Sequence, residues 1–275
     1  MDEIDDSFMK LILGPQKKAH VRNEHDNKLT AYHEAGHAVS SYYCEHTDPV
    51  KVITIVPAGN AGGVTVSVPT EDTMCRSRNE MFETIVRALG GRVAEELVME
   101  DISTGASSDI QQATATARNM ITRYGMSDKL GTVLYGSEHS SDEVFLGRDF
   151  SSGKNYSEKT AAEIDDEIRA LIDKAYKKCR EILMAHMDKL EFVAQYLLAR
   201  ETMDGDQFKA AMEGDVTFEE LDAMVEEKRR KSEEENRLRA ERLREEEEKR
   251  KAEEEAQAES NDPSEDDPDY NRYAK

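Results

Sequence analysis

The sequence predicts a mainly helical domain that carries a small β-hairpin or sheet, followed by a charged helix and an acidic tail without fixed structure. Three observations predict it. Apolar residues recur at helical spacing through 26–43, 76–99, 109–124 and 157–212. One pair of segments, 50–56 and 64–68, is rich in β-branched residues and flanks a Gly-rich turn. From residue 217 onward Glu, Lys and Arg replace the core-forming residues. A chain of 275 residues has room for one large domain or two small ones.

Residues 1–25 read as a helix end and a connector: Phe8, Leu11 and Ile12 form an apolar patch, Gly14-Pro15 breaks it, and 16–22 is a basic linker. The next helix is expected to be capped by Asp26 or Asn27. Leu29, Tyr32, Gly36, Val39 and Tyr43 form its inward stripe, and Pro49 follows its end. Residues 50–56 form a strand, Pro57-Ala58-Gly59-Asn60-Ala61-Gly62-Gly63 turns the chain, and 64–68 returns to Pro69. Such an edge either accepts an extended peptide as an added strand or is a structural hairpin only, and the two readings weigh equally. Helix 76–99 has Met81, Ile85, Val86 and Leu89 on one stripe, then Gly90-Gly91, which predicts a kink or a close helix crossing.

Residues 101–108 form a loop. The helix after it turns Ile110, Ala113, Ala117, Met120, Ile121 and Tyr124 inward, with Gly125 just past its end. The Gly- and Ser-rich stretch 130–156 holds strand-like pieces at 132–135 and 144–146. Ser157 caps a long amphipathic helix to about His186; a second runs from Asp188 to about Arg200 and a short one covers 206–212. In 217–258, pairs such as Glu226–Arg230, Glu227–Lys231, Glu233–Arg237, Glu245–Lys249 and Glu246–Arg250 each support a helix by about 0.2–0.5 kcal/mol. Beyond Val225 only Leu238 and Leu243 are sizeable apolar residues, so there is no coiled-coil seam and the helix is solvated. Residues 259–275, acidic and holding Pro263 and Pro268, are expected to be disordered.

The net charge of −22 argues against nucleic acid as a partner, because phosphate binding needs clustered Lys and Arg. The acidity is not only a property of the tail, since 216–275 holds 22 Asp/Glu against 13 Lys/Arg. Cys44, Cys75 and Cys179 are sparse, odd in number and form no Cys-x-x-Cys; they read as structural thiols in a reducing compartment. No apolar run approaches the ~18 residues of a membrane span and no signal peptide is evident. As given, the chain is expected to be soluble and cytoplasmic.

Thr30-Ala31-Tyr32-His33-Glu34-Ala35-Gly36-His37-Ala38 carries the chemistry. On a helix, i and i+4 share a face, so His33 and His37 can point two imidazoles at one metal ion, with Glu34 beside them to hold and deprotonate a water. Small residues Ala35, Gly36 and Ala38 let another backbone approach; Gly36 costs about 1 kcal/mol of helix propensity, which implies a packing reason. A catalytic zinc site has three protein ligands and one open position. Glu95, Glu96 and Asp109 are the acidic candidates for the third ligand, and spacing alone does not choose between them. Two partly buried histidines beside a surface glutamate are the non-functional reading.

Ala31 to Val39, Gly90-Gly91-Arg92-Val93-Ala94-Glu95-Glu96, Ser103-Thr104-Gly105-Ala106-Ser107-Ser108-Asp109, Arg118-Asn119-Met120 and Tyr124-Gly125-Met126-Ser127 occur in order. Over roughly residues 5–213 the chain strongly resembles the peptidase domain of the FtsH family, membrane-anchored AAA+ zinc proteases. The resemblance implies a mainly helical peptidase domain over 26–214 that binds Zn2+ through His33, His37 and Asp109, with Glu34 as catalytic base and Glu95 orienting a ligand histidine. It implies polypeptide substrates, unfolded or misassembled, a homo-oligomer of hexameric form, and a role in protein quality control. It places the full-length protein on the cytoplasmic side of the cell membrane, anchored through a part outside this chain. No Gly-x-x-x-x-Gly-Lys-Thr and no membrane span occur in these residues, so ATP and Mg2+ would belong to an ATPase module outside them. Residues 1–25 read as the remnant of the ATPase lid and linker of a longer protein. The family's hairpin turn often reads Pro-Arg-Gly-x-Ala-Leu-Gly; here Ala58 and Gly62 stand where the Arg and Leu would be, a departure that bears on substrate docking. His139 and Tyr124 are conceivable oxyanion stabilisers, though each reads first as structural; His20, His25, His46 and His186 read as ordinary histidines. The rival reading is a non-catalytic, zinc-stabilised oligomerisation module with an interaction tail.

Overall fold

The computed structural model describes residues 23–57, 62–69, 74–99, 101–136 and 156–260, the last nine as backbone only. The expectations for 1–22, 144–146, His139 and 261–275 lie outside the described residues. The chain divides into two units, one reaching Phe218 and the other starting at Glu219. Within the first, helices dominate and three short strands form one antiparallel sheet.

Helix α1 (Glu24–Tyr42) is the centre. It starts earlier than the sequence suggests. Asn23 is the cap, its Oδ1 accepting the Asp26 N–H at 2.7 Å, and Asp26 and Asn27 lie inside the helix. Asp26 and Glu24 still favour this end through the helix dipole. Tyr32, Ala35 and Val39 are fully or almost fully buried, and the Tyr32 hydroxyl donates to Glu191 Oε2 at 2.6 Å.

Strands β1 (Val50–Thr54) and β2 (Val64–Ser67) pair antiparallel, with Ile53 opposite Thr65 and an irregularity between Val50 and Val52. A third strand, which periodicity did not reveal, is β3 (Thr202–Asp204), paired with β1 on its other side through Ile53 and Met203. The order β2-β1-β3 leaves β2 at an edge. Three residues bounded by helices give too short a period-2 signal to read from sequence.

The segment 76–99 is two helices, α2 (Arg78–Ala88) and α3 (Gly90–Met99), broken at Leu89. Ser77 and Glu80 form a capping box at the start of α2. A 3-10 turn at Thr104–Ala106 leads into α4 (Ser107–Thr122). Ala113, Ala117, Met120 and Ile121 of α4 are buried as expected, but Ile110 and Tyr124 are exposed. Gly125 follows at φ 61, where an L side chain is strained and its Cβ would meet Thr132 Cα at 2.8 Å. Residues 132–135 form no strand; a lone bridge joins Ser127 and Gly131.

Helices α5 (Glu158–Ala185, capped by Ser157), α6 (Met187–Arg200) and α7 (Gly205–Glu213) complete the unit. Helix α1 packs chiefly on α3 and α6, and α2 packs on α4 and α5. Cys179 and Cys44 sit in this packing, where burial pushes both thiols up to about 12; Cys75 is exposed, so it is no core thiol. The second unit holds most of α8 (Phe218–Ser260), a solvated helix whose ion pairs include Lys231–Glu227 at 2.7 Å and Arg229–Glu233 at 2.9 Å. No helix among the described residues is long and apolar enough to cross a membrane.

Candidate metal centre

Both histidines leave the same face of α1, one turn apart, and their rings stand edge to face with centroids 4.7 Å apart. Three glycines make room for them. A Cβ on Gly36 would run into the Gly90 carbonyl and Ala94 Cβ, so α1 and α3 cross with their backbones in contact. A Cβ on Gly91 would fall within the His33 ring. The glycine pair thus marks a close crossing, one of the two outcomes its sequence predicted, and seats an imidazole against α3.

Each ring is held through Nδ1. His33 Nδ1 lies 2.6 Å from Glu95 Oε1, and His37 Nδ1 lies 2.8 Å from the Arg87 carbonyl oxygen. A carbonyl only accepts, so His37 Nδ1 donates. Burial alone would raise Glu95, but its contacts with His33 and Ser103 hold it below the usual carboxylate range, so it too accepts from His33. Glu95 is fully buried, and its second oxygen takes the Ser103 N–H at 2.8 Å. A neutral ring with its proton on Nδ1 presents a lone pair at Nε2. The two Nε2 atoms face each other at 3.1 Å.

Asp109 completes the cluster. It is the third residue of α4 rather than its cap, a place taken by Ala106, so its carboxylate is free to turn inward. Asp109 Oδ2 lies 3.2 Å from His33 Nε2 and 3.5 Å from His37 Nε2, and it is buried without a hydrogen bond. Two imidazole lone pairs and an orphaned carboxylate oxygen around one point call for a cation. Ligand atoms of a tetrahedral ion at the usual zinc distances stand about 3.3 Å apart, and the three separations here are 3.1, 3.2 and 3.5 Å. Two nitrogens, one carboxylate and an open side fit the donor set of a catalytic zinc site.

The electrostatics agree. Burial alone would lower His33, but Asp109, Glu95 and Glu34 outweigh it and lift its pKa to about 10. Burial would raise Asp109, yet the two imidazoles hold it well below the carboxylate range. The same carboxylates favour any cation on His33 Nε2, proton or metal, and a metal ion displaces that proton.

Glu34 stands beside the cluster, 6% exposed. Burial pushes its pKa up, against the lowering pull of His37, His33 and Thr65. Thr65 Oγ1 of β2 donates to Glu34 Oε2 at 2.7 Å, and Gly63 leaves space that a Cβ would close at 2.8 Å from Glu34 Cγ. All these groups line one open cleft of about 580 Å³, between α1, the hairpin end at Gly62–Thr65 and the 104–109 turn.

The structure therefore brings together His33, His37, Asp109, Glu34 and Glu95. Glu96, a rival for third ligand, faces away and contacts Tyr176 and Arg180 on α5. Tyr124 does not line the cleft. His46 pairs with Glu83 at 3.3 Å and His186 stacks on Tyr43. Sequence reasoning did not find Thr65, the Arg87 carbonyl or the Ser103 N–H, because two are backbone groups and Thr65 lies in a strand without a motif of its own.

The model of peptidase family M41 matches residues 20–211. The chain is 51% identical over 218 residues to ATP-dependent zinc metalloprotease FtsH 2 of Alkaliphilus metalliredigens (strain QYMF), covering 79% of this chain and 31% of that protein. It is 50% identical over 209 residues to ATP-dependent zinc metalloprotease FtsH of Caldicellulosiruptor bescii (76% and 34% covered), and 44% identical over 207 residues to that of Bacillus subtilis strain 168 (75% and 32% covered). The chain spans about a third of the length of these curated relatives.

Proposed function

The chain belongs to peptidase family M41, and we propose that it is the zinc endopeptidase part of an FtsH-type, ATP-dependent protease. The observation that carries this reading is the convergence of His33 Nε2, His37 Nε2 and Asp109 Oδ2 beside a buried, base-like Glu34. His33, His37 and Asp109 would hold the ion. When bound, zinc acts as a Lewis acid that polarises a carbonyl and acidifies water.

The protein's own groups supply the rest. Glu34, made more basic by burial, takes the proton of the attacking water and passes one to the leaving amine. Thr65 aims its carboxylate. Glu95 and the Arg87 carbonyl keep both histidine protons on Nδ1, leaving Nε2 for the metal. The cleft borders β2, whose outer edge is unpaired among the described residues, so an extended substrate can lie along it as an added strand.

The substrates on this reading are unfolded or misassembled polypeptides, delivered by a AAA+ motor. Six copies of the full-length protein form a ring on the cytoplasmic side of the membrane. A non-catalytic zinc module is not favoured, since a structural site has no use for a buried carboxylate on its open side.

The test is metal content together with proteolysis. The purified protein should carry one zinc per chain by elemental analysis and cleave casein. Asp109→Ala should lose both, while Glu96→Ala should keep both. Zinc retained in Asp109→Ala would sink the ligand assignment.

A further inference from the structure

The cleft holds one polar side chain that the chemistry above leaves unused. Thr65 and Asp109 come at α1 from different sides, one through Glu34 and the other through the two imidazoles, and both line the cleft. On the Asp109 side stands Gln112, the only residue with a side-chain amide among the described residues that line it. Gln112 lies three residues beyond Asp109 on α4, so the two side chains are neighbours on the helix surface, with Cβ atoms about 5–6 Å apart. Its own N–H and C=O are taken up inside the helix, so it is the side chain that lines the cleft.

Gln112 is exposed, and its amide has no partner among the described residues. What it can meet is set by β2. The Ile55 N–H bonds the Glu201 carbonyl, and the Val68 N–H bonds the Pro49 carbonyl. Backbone groups alternate sides along a strand, so those of Ile53 turn toward β3 and those of Val66 toward β1. Thr65, opposite Ile53, therefore turns its N–H and C=O to the open edge. A peptide added there is bonded by Thr65 at one residue. The residues on either side of that one turn their N–H and C=O away from β2, toward the Asp109 side of the cleft. A carboxamide offers both a donor and an acceptor, the match for such a backbone edge.

We propose that Gln112 is a substrate-binding residue whose amide grips the backbone of the bound peptide on the edge opposite β2. The chain is then held from both sides, by Thr65 and by Gln112, across the metal site. The proposal rests on the peptidase reading. Such a grip reads backbone and not side chains, so it suits unfolded chains of any composition.

The test uses zinc-loaded protein and fluorogenic peptides in which one amide at a time, other than the scissile one, is replaced by an ester. In the unaltered protein two neighbouring replacements should each lower kcat/KM about three- to tenfold, the scale of a neutral hydrogen bond. One of them faces Thr65 and the other faces Gln112. Gln112→Ala should lower kcat/KM for the all-amide peptide by a similar factor, abolish the second ester effect and keep the first. Its zinc content should not change, and Gln111→Ala, exposed and outside the cleft lining, should cut like the unaltered protein. Gln112→Ala with an unchanged kcat/KM, or with an unchanged ester profile, overturns the proposal. If the zinc-loaded protein cuts no peptide, the peptidase reading fails instead. Fluorescence polarisation with the same peptides then decides the Gln112 proposal on binding alone. Gln112→Ala should bind the all-amide peptide more weakly and lose one ester effect, and an unchanged Kd overturns it.

Discussion

Glu95 meets His33 through a 2.6 Å contact between Oε1 and Nδ1, and through its other oxygen it takes the Ser103 N–H. One buried carboxylate thereby ties His33 to the turn that precedes Asp109, so the same side chain holds both ends of the proposed metal site in relation. Glu95→Ala should weaken zinc binding about 10–100-fold, the usual cost of losing such a partner. Glu95→Gln, whose amide oxygen can still accept from Nδ1, should lose less. Competition with a chromophoric chelator measures both, and equal affinities in all three proteins would contradict this role.

Thr65 offers a test of the base that leaves the ligands alone. Its hydroxyl lowers the pKa of Glu34, while burial raises it. Thr65→Val keeps the shape and removes the donor, so the Glu34 pKa should rise further. A base must be ionised, so activity is lost as pH falls through its pKa. The acidic limb of the kcat/KM profile should therefore move to higher pH in Thr65→Val and return in Thr65→Ser. Zinc content should not change, and an unmoved limb would remove Thr65 from the account.

The glycine crossing predicts a reversal of helix propensity. Gly36→Ala should gain about 1 kcal/mol on an exposed helix, yet here its Cβ meets the Gly90 backbone and Ala94. Overpacking of this kind costs about 1–3 kcal/mol, so thermal melting should fall. Gly91→Ala should displace the His33 ring and reduce zinc content even where the protein still folds. A higher melting temperature for Gly36→Ala would contradict the observed crossing.

Removing the metal should expose the cost of the cluster. Without the metal, Asp109 Oδ2 is left with a proton on His33 Nε2, 3.2 Å away, in place of the ion. Chelation should lower the melting temperature and added Zn2+ should restore it. Asp109→Ala should melt at one temperature with or without zinc.

Much of this was legible in the sequence, for identifiable reasons. The helices around 24–42, 158–185 and 187–200 announce themselves through 3.6-residue stripes, and Ser157 marks the start of the second. The pair His33 and His37 is readable because helix geometry alone puts them on one face. Asp109 is less so: its distance from α1 is set by how α3, the 3-10 turn and α4 follow one another, and only the likeness of several motifs to one family chose it over Glu95 and Glu96. The third strand stayed hidden because pairing partners 148 residues apart leave no local trace, as in Thr54 opposite Thr202, and Thr65 because its strand carries no motif that points to Glu34. Gly36 and Gly90-Gly91 were visible as exceptions to helix propensity, but that they press on each other and on His33 emerged only from the crossing.

The central claim is that Glu34 is the base of a metal-dependent peptidase rather than a structural neighbour of the ligands. Glu34→Gln changes one oxygen to nitrogen and leaves His33, His37 and Asp109 in place. Zinc content and casein cleavage measured on the same preparation decide it. The account predicts full zinc occupancy with cleavage abolished; cleavage at the unaltered rate would contradict it.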